Sequence, residues 1–216
     1  MKIGTDGVLL GAWADCSNVK TAIDVGTGSG LLALMIAQRA TDSLITALEI
    51  DEGAAADARD NIAASVFSRR INVIIGDFAK YRPTIKVDLI VSNPPYFTTG
   101  EHSADTTRAT ARHQDGLTFE NLARYADEHL SPNGSLALVA PFEALDEIIY
   151  RCEMSHLKLR RQCTIYSKAD KEPIRVLCQF YRTDGKIEQT GLIIRQADNS
   201  YSADFAELTK DFYLNF

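Results

Sequence analysis

The sequence predicts an α/β fold: a doubly wound, mostly parallel sheet with an antiparallel strand near the C-terminus. Three observations carry that prediction. A β-branched run at 21–25 leads into a glycine-rich turn, Gly26-Thr27-Gly28-Ser29-Gly30, and then into helical spacing at 31–39. That succession is the nucleotide-binding opening of a Rossmann-like sheet. Short apolar runs then alternate with helical stretches, the rhythm of parallel strands joined by crossover helices. Finally, two strand-like runs at 157–165 and 174–181 are separated only by residues 167–173, hairpin length and too short for a crossover.

Composition sets the outer bounds. A chain of 216 residues, 45% hydrophobic and 24% charged, suits one domain over 1–216 with a sizeable core. Within it, 1–20 reads as an N-terminal segment and 185–216 as a C-terminal extension. No apolar stretch approaches the ~18 residues of a membrane span, and no signal-peptide pattern is visible. A cytoplasmic protein without a membrane partner is expected. Cys16, Cys152, Cys163 and Cys178 are scattered without metal-ligand spacing, so they read as reduced, mostly buried thiols, and no metal is expected. A net charge of −6 is awkward for a nucleic-acid enzyme and confines any RNA site to a local basic patch. A monomer is the expected state.

In chain order, Gly4 and Gly7 bracket the polar pair Thr5-Asp6 ahead of a short apolar helix at 8–13. The residues alone favour Thr5 or Asp6 as its N-cap over a loop covering a ligand. Strand 21–25 carries Asp24, two residues before Gly26. The Gly-x-Gly-x-Gly pattern departs from the Gly-x-Gly-x-x-Gly of dinucleotide sites, which favours S-adenosylmethionine over a nicotinamide cofactor. Gly26, Thr27, Gly28 and Gly30 then form the cofactor turn. Asp24 would reach the amino acid end of the cofactor or, more blandly, cap the glycine turn. A second strand at 43–50 ends in Glu49-Ile50-Asp51. A carboxylate about twenty residues past the glycine turn can accept hydrogen bonds from ribose hydroxyls; Glu49 is assigned that role and Asp51 the cap of a helix at 52–67. The third strand, 71–75, ends in Gly76-Asp77-Phe78, where Asp77 could accept from an adenine amine and Phe78 could line the ring.

The fourth strand, 87–91, runs into Asn93-Pro94-Pro95-Tyr96. Two prolines stop the strand and stiffen the turn, at the sheet edge where ligands bind in open α/β folds. An exocyclic amine or a carboxamide nitrogen is a poor nucleophile because its lone pair is delocalised. Asn93 Oδ1 and the Pro94 carbonyl could grip both of its hydrogens and aim the lone pair, with Tyr96 stacking on a flat substrate. The tetrapeptide resembles the signature of S-adenosylmethionine-dependent amino-methyltransferases, and the resemblance implies the class I methyltransferase version of the sheet. Residues 97–115 are long and polar; Arg108 and Arg112 lie four apart and are candidates for phosphate contact. The rest reads as a helix at 117–130, a turn at Ser131-Pro132-Asn133-Gly134, a strand at 135–140, a helix at 141–153, the hairpin strands, a strand at 190–195 and a helix at 202–213. Lys158, Arg160 and Arg161, with Lys168, Lys171 and Arg175, are the best candidate for an RNA-facing patch; an edge strand protected by charge is the alternative. Phe205, Leu208, Phe212 and Leu214 read as core packing.

A narrower resemblance covers essentially the full length. The opening from Met1 to Trp13, the turn from Asp24 to Gly30, Asn93 to Phe97, Ala111-Arg112-His113 and the closing Asp211-Phe212-Tyr213-Leu214 look like the bacterial tRNA1(Val) (adenine(37)-N6)-methyltransferases. This implies methyl transfer from S-adenosylmethionine to an adenosine beside the anticodon, with tRNA as partner. It also implies that Asn93 to Tyr96 hold the target adenine, that Gly26, Gly28, Glu49 and Asp77 hold the cofactor, and that the segment with Thr5 and Asp6 lies near it. Relatives in that family carry a further stretch with aromatic residues ahead of the position of Met1. Two rivals remain open on sequence: a glutamine N5-methyltransferase acting on a release factor, and a non-catalytic RNA- or protein-binding module that kept the fold.

Overall fold

In the computed structural model, which describes residues 4–95 and 116–213, eight strands form one sheet in the order β3-β2-β1-β4-β5-β7-β6-β8. They are β1 (Thr21–Val25), β2 (Leu44–Glu49), β3 (Ile71–Ile75), β4 (Val87–Ser92), β5 (Leu130–Pro141), β6 (Lys158–Tyr166), β7 (Pro173–Tyr181) and β8 (Glu188–Ile193). Only β7 runs against the others: it is antiparallel to β5 and β6, while β6 and β8 pair in parallel. The predicted α/β class and the reversed strand near the C-terminus are therefore observed. The helices are α1 (Thr5–Trp13), α2 (Leu31–Arg39), α3 (Glu52–Ala63), α4 (Phe119–His129), α5 (Leu145–Met154) and α6 (Ala203–Thr209). None of the described helices is long and apolar enough to cross a membrane.

Two cores follow from the pleat, because alternate residues of a strand face opposite sides of the sheet. On one face Leu9, Leu10 and Trp13 of α1 and Leu32 and Ile36 of α2 pack on Leu89, Val91, Ala137 and Val139. On the other, Leu122 and Tyr125 of α4 and Ile148 and Cys152 of α5 pack on Ile23, Ile90, Leu136 and Phe180. β4 is buried from Leu89 to Ser92, as a strand covered on both faces must be. All four cysteines are buried free thiols.

Several local expectations shift. Ser131-Pro132-Asn133-Gly134 is not a turn between elements but part of β5. The partner of Val87 is Leu130 and that of Leu89 is Ser135, so four residues bulge opposite Asp88. Gly134 makes this possible, since a Cβ there would lie 2.8 Å from the Val87 carbonyl oxygen. Asp88 anchors the bulge by accepting from Ser131 Oγ at 3.0 Å, and it accepts from the Lys20 and Thr21 amides as well. α3 ends at Ala63 and α6 at Thr209, both short of the predicted ends. Neither Thr5 nor Asp6 caps α1: both lie inside the helix, Gly4 is the N-cap, and the cap has no side-chain hydrogen bond.

The C-terminal segment packs on the core, as its apolar stripe predicts. Phe205 is fully buried and stacks on Tyr201 at 4.8 Å. Leu208, Phe212 and Tyr213 cover Val8, Ala12 and Met35; Leu214 lies outside the described residues. Phe205→Ala is expected to cost about 3–5 kcal/mol, the usual range for deleting a buried aromatic ring, measured by urea unfolding. A loss under about 1 kcal/mol would mean that the segment only rests on the surface.

Candidate active site

The carboxyl ends of β1, β2, β3 and β4 converge. Ser92, the last residue of β4, pairs with Val25 of β1 and donates from Oγ to the Val25 carbonyl at 2.9 Å. This holds Asn93-Pro94-Pro95 beside the glycine turn that follows β1. On the other side of β1, the Gly26 and Thr27 amides donate to the Leu48 carbonyl at 2.9 and 3.0 Å, and the Gly76 amide donates to the Glu49 carbonyl at 2.8 Å. Gly26, Gly28 and Gly30 all have positive φ, between 57° and 83°, a conformation only glycine adopts without strain. The turn therefore coils tightly into the N-terminus of α2.

Three carboxylates organise this edge. Asp24 is fully buried. Its Oδ2 accepts from Thr27 Oγ1 at 2.5 Å and from the Ala33 amide at 3.1 Å, so it ties the turn to α2; its Oδ1 is buried without a partner. Glu49 Oε2 accepts from the Gly28 amide at 2.8 Å, while Oε1 accepts from the Ile50 and Asp51 amides. Asp51 caps α3 by accepting from the Ala54 amide at 2.9 Å, which leaves Glu49 as the acid facing the turn. Asp77 accepts from the Ala79 amide at 2.9 Å and pairs with Lys80 at 3.5 Å. Phe78 is buried, with its ring edge-on to Tyr125 at 5.4 Å; it is a core side chain beneath the edge.

α1 closes the site from one side. Gly7 packs against Asn93: a Cβ there would stand 3.7 Å from Asn93 Nδ2 and 3.1 Å from Leu31 Cδ2. Pro94 is buried and Pro95 exposed.

The comparisons with known proteins bear on this edge. The model of the methyltransferase small domain family matches residues 6–155. A tRNA1(Val) (adenine(37)-N6)-methyltransferase of Aeromonas hydrophila is 45% identical over 99% of this chain and 91% of its own. The protein of that name in Bacteroides thetaiotaomicron is 42% identical over 100% and 91%. The chain belongs to this methyltransferase family. Solved structures at lower identity share the fold. A predicted O-methyltransferase of Agrobacterium tumefaciens has a TM-score of 0.75 at 20% identity, covering 95% of this chain and 96% of its own. A glycopeptide N-methyltransferase complexed with S-adenosylmethionine has a TM-score of 0.58 at 14% identity, covering 85% and 90%.

Membership of a methyltransferase family implies use of S-adenosylmethionine, and the edge fits that group. A buried carboxylate oxygen without a donor suits an ammonium, directly or through water. The glycine turn, without side chains at its three positive-φ positions, lets a ligand approach the backbone, and Glu49 and Asp77 stand at neighbouring strand ends. Among the described residues no group of three or more His, Cys, Asp or Glu could hold a metal ion.

Other predicted residues lie elsewhere. Tyr96, Arg108 and Arg112 are outside the described residues. Lys158, Arg160 and Arg161 do not gather at this edge. Lys158 is level with Tyr181, Ser135 and Leu89 across the sheet, towards the amino ends of the strands, and pairs with Glu153. Arg160 donates to the carbonyls of Thr183, Asp184 and Lys186. Arg161 pairs with Glu188 at 3.1 Å, donates to the Trp13 carbonyl and lies over the Trp13 ring at 4.5 Å. These cations hold the amino side of the fold together. Sequence reading also missed Arg39, whose guanidinium closes the C-terminus of α1 by donating to the Gly11 and Ala14 carbonyls. A basic residue in the last turn of α2 gave no hint of a partner on another helix.

Burial pushes the Asp24 carboxyl up to about 7; hydrogen bonds from Thr27 and Ala33 offset part of the rise, and the Glu49 charge adds to it. In the unfolded chain an aspartate titrates near about 3.9. Between these values the native state binds the extra proton, so stability falls as pH rises through the window and is level above it. Asp24→Asn removes this dependence. Urea unfolding of the ligand-free protein from pH 5 to 8 is expected to show the variant gaining on the native protein up to about pH 7, and a difference independent of pH would overturn the assignment.

Proposed function

We propose that this chain transfers a methyl group from S-adenosylmethionine to the N6 amine of adenosine 37 in tRNA1(Val). The observation that carries the reading is full-length identity of 42–45% to relatives bearing that name, in a chain whose Asn93-Pro94-Pro95 turn follows β4 beside the glycine turn of β1. When bound, S-adenosylmethionine would supply an electrophilic methyl on a sulfonium, whose C–S bonding pair leaves with sulfur as the N–C bond forms.

The chain's own residues act on the amine. Asn93 Oδ1 and the Pro94 carbonyl accept its two hydrogens, which localises the lone pair on nitrogen and aims it. Tyr96 stacks on the adenine, an interaction worth about 1–3 kcal/mol per base. The target base reaches this turn splayed out of the anticodon loop, at a modest unstacking cost in single-stranded RNA. After transfer the nitrogen sheds one proton to solvent, so no protein base is required. Glu49 would hold the ribose hydroxyls of the cofactor, Asp24 its methionine ammonium and Asp77 its adenine amine, and Gly26, Thr27, Gly28 and Gly30 would give it a backbone surface to lie on. Thr5 and Asp6 belong to the wall of the site. Arg108 and Arg112 are the proposed phosphate contacts; Lys158, Arg160 and Arg161 sit away from this edge, with partners of their own.

The test is transfer of labelled methyl from S-adenosylmethionine into total tRNA from a strain lacking the gene, followed by nucleoside analysis. Label is expected in N6-methyladenosine. Label in a release factor but not in tRNA would move the reading to glutamine N5-methylation, and no cofactor binding at all would leave a binding module. Asn93→Ala is expected to lower turnover by about 100-fold or more, the scale of lost alignment, while cofactor affinity stays within a few-fold. Glu49→Ala should do the converse, weakening cofactor binding by about tenfold or more through the lost charge-assisted hydrogen bonds. If both variants lose cofactor equally, the division of roles is wrong.

A further inference from the structure

The first turn of α1 carries an ion pair to β7. Arg175 stands near the start of β7, level with Pro141 of β5 and Ile165 of β6. Because β7 is reversed, its beginning lies at the carboxyl edge, the same edge as Asn93. Arg175 Nε donates to Asp6 Oδ2 at 2.8 Å across 169 residues of sequence. The two side chains are 32% and 27% exposed, so the pair is partly shielded from water and salt. The next residue after Asp6 is Gly7, whose backbone forms the surface against the Asn93 amide. Among the described residues no side chain caps this turn at Gly4. Its fixed points are tertiary: Arg175 on Asp6, and a side-chain hydrogen bond between Tyr213 and Thr5.

We propose that Arg175 is a positioning residue for methyl transfer. Through Asp6 it holds the first turn of α1, and with it the Gly7 backbone, against Asn93, and so limits the directions in which the Asn93 amide can point. The inference rests on the assignment of Asn93 to the target amine. It makes Arg175 a tether and not a phosphate contact. Its Nε is committed to Asp6 and its Nη1 to the Ile174 carbonyl at 2.8 Å, and an arginine answered by a carboxylate holds little charge in reserve for RNA.

A double-mutant cycle reads the tether directly. With the full chain, S-adenosylmethionine and the tRNA substrate, Arg175→Ala is expected to lower kcat by about tenfold, a fraction of the penalty for gross misalignment. Cofactor affinity and melting temperature should be nearly unchanged. In an Asp6→Ala background the same substitution should cost nothing more, and the exchanged pair Asp6→Arg with Arg175→Asp should recover much of the loss. If Arg175 instead contacts RNA phosphate, its removal will raise KM for tRNA, flatten the salt dependence and cost as much without Asp6 as with it; that result overturns the proposal. So does a loss of activity that tracks a loss of melting temperature. Asn93→Ala measured in parallel separates the two readings: full activity there overturns the assignment of the site, whereas additive losses at Asp6 and Arg175 overturn only the tether.

Discussion

The site depends on β1 and β4 being neighbours. The chain leaves β1 to build β2 and β3 on one side, then crosses back to lay β4 on the other. At that reversal two connections leave the sheet in opposite directions and open a crevice between them. One side of the crevice is the glycine turn and the other is Asn93-Pro94-Pro95. The Ser92 hydroxyl on the Val25 carbonyl closes the last rung between the two strands, so both turns start from one fixed point. In the proposed reaction a cofactor on the first turn and an amine on the second would meet because this pairing brings the two strand ends together.

The carboxylates at the edge show two ways of managing buried charge. Glu49 is satisfied by three backbone amides, which hold its carboxylate against the turn. Asp24 is buried with one oxygen satisfied and one orphaned. An unpaired polar atom in the interior costs stability, and proteins keep such atoms where a ligand completes them. Asp24 thus holds the turn together with one oxygen and leaves the other open to a donor.

α1 is a wall, not a mobile flap. Every residue from Gly7 to Trp13 is buried, the state expected of a helix that is apolar all round. Arg161 and Arg39 fix its C-terminal end, Arg175 and Tyr213 its first turn, and the C-terminal segment lies across its outer side. Of the cations that seemed suited to RNA, Arg161 and Arg175 are spent on this work.

The sequence by itself determined the order and kind of most elements, because short β-branched runs, glycine turns and proline stops act through local backbone energetics. The glycine turn, the stop at Asn93-Pro94-Pro95 and the Asp51 cap needed no knowledge of distant residues. The family resemblance was legible for the same reason, resting on contiguous motifs. Tertiary structure alone decided the partners of the charged side chains. Whether Arg161 faces RNA or clamps Trp13, and whether Asp6 caps a helix or meets Arg175, depends on elements more than a hundred residues apart. It also turned Ser131 to Gly134 from a turn into a bulge, since only the neighbouring β4 supplies the Val87 and Asp88 contacts that shape it. Local preference governs conformation, but a long charged side chain has many reachable partners, and packing chooses among them.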